Sequence, residues 1–143
     1  MSYLLDVNVL IALVDSNHEH HDPAHRWFEK NRDGWATCAI TENGLIRIVS
    51  NPRYPNSTNS PVVVAEMLAA LKALPGYEFW PEAISILEGS VFRPNQLRSY
   101  QQITDTYLLG LAVRHGGHLA TFDRHISTNA VIGGSSALYQ IEI

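Results

Sequence analysis

Short apolar segments alternate with helix-start signals along the chain, and this alternation restricts the possible folds more than any other sequence feature. The predicted strands are 4–7, 35–39, 77–80, 118–121 and 138–141. The predicted helices are 9–14, 23–34, 42–49, 61–75, 81–87 and 105–115, with Asn8, Asp22, Thr41, Ser60 and Thr104 as candidate caps. Strands that alternate with helices imply a parallel sheet covered on both faces. The predicted fold is therefore a three-layer α/β/α domain with a central, mainly parallel sheet.

The totals fit one globular domain spanning residues 1–143. Apolar residues make up 45% of the chain and charged residues 17%, an ordinary balance. Cys38 is the only cysteine, so no internal disulfide can form, and the first residues lack the features of a signal peptide. The apolar stretch 3–14 is much shorter than the ~20 residues of a membrane span. We therefore expect a cytoplasmic protein with no membrane segment.

The formal net charge of −4 argues against a protein that binds duplex nucleic acid through bulk positive charge. It is compatible with a nuclease, whose active site is acidic while its rim is basic. Arg side chains suit bidentate phosphate contacts. Arg47, Arg93, Arg98 and Arg124 could make such contacts, but a solvated surface explains each of them more simply.

Four acidic residues stand at the ends of predicted elements. Asp6 interrupts the apolar segment "LLDVNVLIALVD" at the end of the first strand, and Asp123 follows a later strand. Glu42 and Asp105 each stand in the first turn of a helix. Because strand ends and helix starts of this kind share one edge of an open α/β sheet, the four acids could converge although they are far apart in sequence.

Helical spacing adds to this argument. Apolar residues follow Glu42 and Asp105 at the third, fourth and seventh positions: Leu45, Ile46 and Val49 after the first, and Leu108, Leu109 and Ala112 after the second. Each acid thus heads the apolar stripe that turns toward the core. An acid in the first turn of a helix often only complements the helix dipole from solvent, but two such helices beside a carboxylate in an apolar strand favour a site.

A cluster of four carboxylates requires a counter-charge, because like charges raise one another's pKa. Oxygen ligands suit Mg²⁺ or Mn²⁺ better than Zn²⁺. Two such ions can stabilise the attacking and the leaving oxygens of a phosphoryl displacement. The pattern therefore predicts a magnesium- or manganese-dependent hydrolase acting on phosphodiester bonds.

At these residues the chain resembles the PIN-domain family, and within it the VapC-like ribonuclease toxins of bacterial toxin–antitoxin pairs. The matching segments are "LLDVNVLIAL", "HEHHDPAHRWF", "ITENGLIRIVSNP" and "ITDTYLLGLAVRHGGHLATFD". They occur in the family's order and span nearly the whole chain.

The resemblance implies a metal-dependent endoribonuclease that forms a homodimer and is inhibited by a small cognate antitoxin protein. By position, Asp6, Glu42, Asp105 and Asp123 match the family's acidic quartet. Asn8 matches a polar residue that supports the quartet. Thr104 and Thr121 fall where hydroxyl residues flank the site.

A histidine cluster provides a second possible metal site. It consists of His18, His20, His21 and His25, of which the last two are one helical turn apart. That spacing can serve zinc, but no cysteine or clear third ligand stands nearby. The alternatives are an exposed loop and helix face, or a rim near RNA or a partner.

Two other functions remain open on the residues alone. The first is a metal-dependent phosphohydrolase with Asp6 as nucleophile, although such enzymes usually carry a second Asp where this chain has Asn8. The second is a non-catalytic binding module that keeps the fold, although such a module has no reason to retain four costly charges.

Overall fold

The computed structural model describes residues 1–143 and contains five strands and six helices. The strands are β1 (Tyr3–Leu5), β2 (Trp35–Thr37), β3 (Tyr77–Phe79), β4 (His118–Thr121) and β5 (Leu138–Gln140). The helices are α1 (Val7–Val14), α2 (His21–Asn31), α3 (Ala39–Ser50), α4 (Pro61–Lys72), α5 (Ile103–Arg114) and α6 (Gly134–Ala137). Two 3₁₀ turns, Pro94–Gln96 and Tyr100–Gln102, precede α5.

The five strands form one sheet in the order β3-β2-β1-β4-β5, and every pair is parallel. The first strand lies in the centre, between β2 and β4. Because all strands run in one direction, their carboxyl ends meet at the same edge of the sheet. This topology confirms the predicted parallel α/β class and brings the ends of β1 and β4 side by side.

Each face of the sheet is covered by its own apolar cluster. Side chains of α1, α2, α3 and α4 pack with Leu5 on one face, and side chains of α5 and α6 pack with Leu4 on the other. All three residues of Tyr3–Leu5 are buried. Strands that are covered on both faces do not alternate apolar with polar residues, which explains why this strand is apolar throughout. The arrangement is the predicted three-layer α/β/α fold.

All five predicted strands are present, but several helices begin earlier than predicted. The N-caps are Asp6, His20, Cys38 and Gln102, in place of the predicted Asn8, Asp22, Thr41 and Thr104. Only Ser60 caps its helix as predicted, accepting a hydrogen bond from the backbone of Val63. Cap preferences are local, whereas the point at which a strand leaves the sheet is set by pairing with its neighbours.

The predicted helix 81–87 is wrong, because this segment is an irregular connection. Its groups bond to other elements instead of to each other. The Glu82 carboxylate accepts a 2.7 Å hydrogen bond from the backbone N–H of Ile40 in the first turn of α3, and the Tyr107 hydroxyl donates to the carbonyl of Ile84 at 2.8 Å. Tertiary contacts therefore override the helix signal at Pro81.

Residues 51–60, between α3 and α4, lie outside any helix or strand. The longest helices have 12 residues. None of the helices combines the length and the apolar character needed to cross a bilayer.

Candidate functional site

Asp6 directly follows β1 and is the N-cap of α1. Its Oδ1 accepts a 2.7 Å hydrogen bond from the backbone N–H of Val7, and its Oδ2 accepts one of 2.8 Å from the Thr121 hydroxyl. The residue is only 6% exposed. Burial raises the pKa of Asp6, and the charge of Asp123 adds to that rise, although the two hydrogen bonds act in the opposite direction. The apolar strand thus holds a rigidly oriented carboxylate.

Thr121 connects the predicted polar residues at the end of β4. Its buried hydroxyl donates to Asp6 and accepts from the Asn8 amide at 3.1 Å and from the backbone N–H of Asp123 at 3.0 Å. The side-chain oxygen Oδ1 of Asn8 accepts a hydrogen bond from the backbone N–H of Phe122 at 3.2 Å. This network links β1, α1 and β4, and it supports the predicted auxiliary places of Asn8 and Thr121 beside the acids.

Asp105 lies in the first turn of α5 and is half-buried. Burial, followed by the negative charges of Asp6 and Asp123, raises the pKa of Asp105 to about 6. No hydrogen bond to its carboxylate offsets this effect. The structure therefore brings Asp6, Asp105 and Asp123 close enough to repel one another electrostatically, as the sequence predicts.

An open cleft of about 680 Å³ lies beside this group of aspartates. Asp6 and Asp105 line it together with Thr104, which is exposed. The side of the cleft formed by α3 consists of Ile40, Asn43, Gly44, Arg47 and Ile48. The cleft is thus acidic on the side of α1 and α5, and it carries an amide and a guanidinium on the side of α3.

The structure corrects the predicted position of Glu42, which lies outside this cleft. Its Oε2 accepts hydrogen bonds from the Thr37 hydroxyl at 2.6 Å, Lys72 Nζ at 2.8 Å and the Tyr77 hydroxyl at 3.3 Å. Burial tends to raise the pKa of Glu42, but these bonds and the Lys72 charge outweigh it, so that the pKa lies below its usual value. The charge of Glu42 is therefore compensated by Lys72. Only three of the four predicted acids, Asp6, Asp105 and Asp123, lie together.

The reason for this error is the rotation of α3. Glu42 does head a stripe with Leu45 and Val49, and both of these are buried as predicted. That stripe turns toward the core shared with α4, whereas the cleft is lined by the neighbouring stripe. For this reason Asn43 was not predicted as a site residue, and Arg47 was considered only as one of four arginines that could contact phosphate. Asn43 and Arg47 follow Ile40 by three and seven positions. Residues at this spacing share one face of a helix, and this was the sequence pattern that could have placed them together.

The histidine cluster closes the end of α1. A ring nitrogen of His21 contacts the carbonyl oxygen of Ala12 at 2.7 Å, and one of His25 contacts that of Leu13 at 3.0 Å. His18 Nδ1 accepts from the backbone N–H of His20 at 3.0 Å. The last carbonyls of a helix lack partners within the helix, so His21 and His25 satisfy the end of α1. No three His, Cys, Asp or Glu side chains are placed to hold a metal ion.

The donor set of the aspartate trio fits a hard dication better than a zinc ion. All of its candidate ligands are carboxylate oxygens, and Asp105 has no hydrogen-bond partner. No three His, Cys, Asp or Glu side chains are arranged to ligate one ion directly. Mg²⁺ suits such an open group, because it usually keeps several waters and takes only one or two carboxylates from the protein.

Comparison with known proteins gives a consistent family. A model of the PIN domain matches residues 3–131. The chain is 45% identical over 139 residues to Ribonuclease VapC44 of Mycobacterium tuberculosis, covering 94% of this chain and 95% of that protein. It is 42% identical over 134 residues to Ribonuclease VapC39 of the same organism, covering 93% and 96%.

Two solved structures resemble the fold. Mycobacterium tuberculosis VapC20, described as a Sarcin-Ricin loop cleaving toxin, superposes with a TM-score of 0.61 at 11% identity, covering 91% of this chain and 96% of that one. VapBC2 from Rickettsia felis, bound to a DNA fragment from their promoter, gives 0.58 at 15% identity, covering 86% and 89%. At these identities the likeness concerns the fold alone.

Proposed function

Because this chain belongs to the PIN-domain family and its full-length relatives are VapC ribonucleases, we propose that it is the endoribonuclease toxin of a VapBC-like toxin–antitoxin pair. The observation that carries the proposal is the aspartate trio beside an open cleft. Asp6 follows β1, Asp105 lies in the first turn of α5 and Asp123 follows β4. Their charges act on one another. The whole chain of 143 residues serves as one nuclease domain.

The reaction we propose is hydrolysis of an RNA phosphodiester, with Mg²⁺ or Mn²⁺ held by Asp6, Asp105 and Asp123, at least one of them through water. When bound, such an ion supplies counter-charge to the acids and to the phosphate, and it lowers the pKa of water. Thr121 and the N–H of Val7 hold both oxygens of Asp6 in place. Asp105 makes no competing hydrogen bond, so its side chain is free to turn toward a ligand.

The alternative reaction, with Asp6 as a covalent nucleophile, is disfavoured by the same geometry. Both oxygens of Asp6 are hydrogen-bonded, and the residue is 6% exposed. A phosphoryl group would have to displace the cap of α1 or the Thr121 hydroxyl. Detection of an aspartyl-phosphate in protein incubated with small phosphate esters would support this alternative instead.

The test is RNA cleavage by the purified chain, with a panel of transfer RNA, ribosomal RNA and messenger RNA. We expect cleavage with Mg²⁺ or Mn²⁺ and none after chelation. Asp6→Asn and Asp105→Asn should abolish cleavage, and Asp6→Asn is preferable to Asp6→Ala because an amide still caps α1. Arg53→Ala, an exposed position outside the cleft, is the matched control. Full activity after thorough chelation, or in both Asn variants, would overturn the proposal.

We further propose a cognate antitoxin and a homodimer as partners. The exposed apolar residues Val62, Val63 and Met67 on α4 support a protein contact, since apolar patches on a surface often mark interfaces. Size-exclusion chromatography with light scattering tests the dimer on the chain alone. Co-purification with the product of any short neighbouring reading frame tests the antitoxin, and inhibition of RNA cleavage tests its function.

A further inference from the structure

One face of α3 forms a wall of the active cleft. Ile40, Asn43, Gly44, Arg47 and Ile48 line the cleft opposite Asp105 and Thr104. Asn43 and Arg47 are four residues apart, so they are neighbours on the helix surface. Their side chains are therefore placed to contact one ligand together.

The absence of a side chain at Gly44 allows this face of α3 to pack close to the start of α1, next to Asp6. A Cβ atom at Gly44 would lie 3.0 Å from Cγ2 of Val7, which is tighter than a normal contact. Val7 directly follows Asp6 and begins α1. The close crossing of α3 over the start of α1 thus brings Asn43 and Arg47 to the same cleft as the buried carboxylate.

Arg47 is exposed and has no ionic partner in the chain. The salt bridges of the protein join Glu19 to His20, Glu42 to Lys72 and Glu88 to Arg114. Arg47 shares a cleft with Asp6 and Asp105, yet it pairs with neither. The Asn43 amide likewise makes no hydrogen bond within the protein. Both groups therefore have free donors that face the cleft.

The charge balance indicates what these donors bind. The chain carries a net charge of −4, and the aspartate trio adds local negative potential that repels a polyanion. Arg47 is the only basic residue that lines the cleft. A guanidinium binds phosphate through two parallel N–H donors. We propose that Asn43 and Arg47 form a phosphate-binding subsite for the RNA strand, at a phosphodiester next to the one being cleaved.

This subsite rests on the proposed nuclease function, but RNA binding tests it separately. The assay measures binding of a short fluorescent single-stranded RNA to the Asp105→Asn protein in a chelating buffer, so that cleavage does not interfere. Arg47→Ala, added to that background, should weaken binding about tenfold, equivalent to the loss of about 1.4 kcal/mol. The slope of log affinity against log salt should fall by about 0.7, the value for one phosphate contact to a single strand.

Matched variants separate a specific contact from a general effect of charge. Arg53→Ala removes an exposed arginine outside the cleft and should leave affinity within about twofold of the parent, since distant charges are screened. Arg47→Lys should restore the salt slope but only part of the affinity, because an ammonium lacks the bidentate fork. Asn43→Ala should weaken binding about threefold with no change in salt slope, because a neutral donor releases no counterion.

Steady-state cleavage by otherwise wild-type protein gives an independent readout. Arg47→Ala should raise KM about tenfold while kcat changes by less than about twofold, the pattern of a contact made equally in the ground and transition states. Wild-type cleavage combined with unchanged RNA binding by Arg47→Ala would reject the subsite and leave the nuclease function standing. Arg47-dependent binding without any cleavage would reject the nuclease and keep the subsite.

Discussion

At the scale of single residues, Asp105 differs from the other two clustered acids because its carboxylate accepts no hydrogen bond. It is half-buried, faces the charges of Asp6 and Asp123 and accepts no compensating hydrogen bond. Asp6, in contrast, is held by Thr121 and the Val7 backbone. Ionisation of Asp105 therefore destabilises the metal-free site, and a bound cation or a neutral side chain at this position would remove that destabilisation.

We predict that Asp105→Asn abolishes RNA cleavage and stabilises the metal-free fold at neutral pH. The pKa of Asp105 is raised to about 6, so the folded chain binds a proton more tightly than the unfolded chain, and stability falls as pH rises through this range. At about pH 8 the variant should be more stable by about 1 kcal/mol, after allowance for solvent screening.

Urea denaturation of both proteins in chelating buffer checks this prediction. The difference in unfolding free energy should shrink toward zero at about pH 3, because below the unfolded pKa of about 3.9 the wild-type carboxyl is largely protonated in both states. A variant that is less stable than the wild type at about pH 8, in the absence of metal, would show that Asp105 is not under electrostatic strain.

Glu42 provides a contrast, because its charge is satisfied. Its side chain is 19% exposed and lies 2.8 Å from Lys72 Nζ. Glu42→Gln should lower the unfolding free energy by about 1 kcal/mol through loss of a partly exposed charged pair. RNA cleavage should stay within about threefold of the wild type, in line with the position of Glu42 outside the cleft. A folded Glu42→Gln protein as inactive as Asp105→Asn would return Glu42 to the catalytic set.

At the scale of elements, α1 is held at both ends by side chains from elsewhere in the chain. Thr121 of β4 orients the cap at Asp6, and His21 and His25 of α2 contact the carbonyl groups near the other end. Asp15 follows the helix and is 8% exposed. Its carboxylate accepts from the Tyr54 hydroxyl, the Asn56 amide and the Asn17 backbone. The 51–60 loop is thus anchored to the helix that carries Asp6.

We predict that Tyr54→Phe destabilises the protein by about 1–2 kcal/mol at neutral pH, because a buried carboxylate loses a donor. Burial tends to raise the pKa of Asp15, but its hydrogen bonds outweigh that effect and hold the pKa below its usual value. The stabilisation is present above the unfolded pKa and is lost as pH falls through the folded pKa.

Thermal unfolding of the wild type and Tyr54→Phe at about pH 7 and about pH 3 measures this effect, and the difference should narrow at the acid end. The control is Tyr100→Phe, which removes a hydroxyl from a side chain that is 84% exposed. An equal loss of stability in both variants would mean that the Asp15 contact contributes nothing specific.

The elements were largely predictable from the sequence, and their boundaries were not. Apolar strands of three or four residues and the Ser60–Pro61 start of α4 have strong local signals. The starts of α1, α3 and α5 lie two or three residues before the predicted ones, because each helix begins where sheet pairing or a preceding turn ends. The segment at Pro81 fails to form a helix because Glu82 and Ile84 bond to α3 and α5.

At the scale of the whole molecule, the parallel sheet brings three acids together from positions 6, 105 and 123. Metal binding should then stabilise the entire fold. We predict that Mg²⁺ or Mn²⁺ raises Tm in a concentration-dependent way. At a free-ion concentration about a hundredfold above Kd, the unfolding free energy should increase by about 2.7 kcal/mol. Asp105→Asn should show a much smaller rise.

Differential scanning fluorimetry across a metal titration measures this rise, with NaCl at matched ionic strength as the control. Asp105→Asn starts from a more stable metal-free state, so the comparison uses the change in Tm rather than its absolute value. The same metal-induced change in the wild type, Asp6→Asn and Asp105→Asn would place the ion elsewhere on the protein.

Sequence patterns alone predict the parallel α/β class, the positions of Asp6 and Asp123 at strand ends, and the position of Asp105 at the same edge of the sheet. These follow from local periodicity and from the rule that parallel strands end together. The face of α3 that meets the site depends on packing between helices, which local sequence patterns do not specify. Each residue along a helix turns its side chain by about 100°, so the packing of Gly44 against Val7 and of Glu42 against Lys72 directs Asn43 and Arg47 into the cleft and Glu42 away from it.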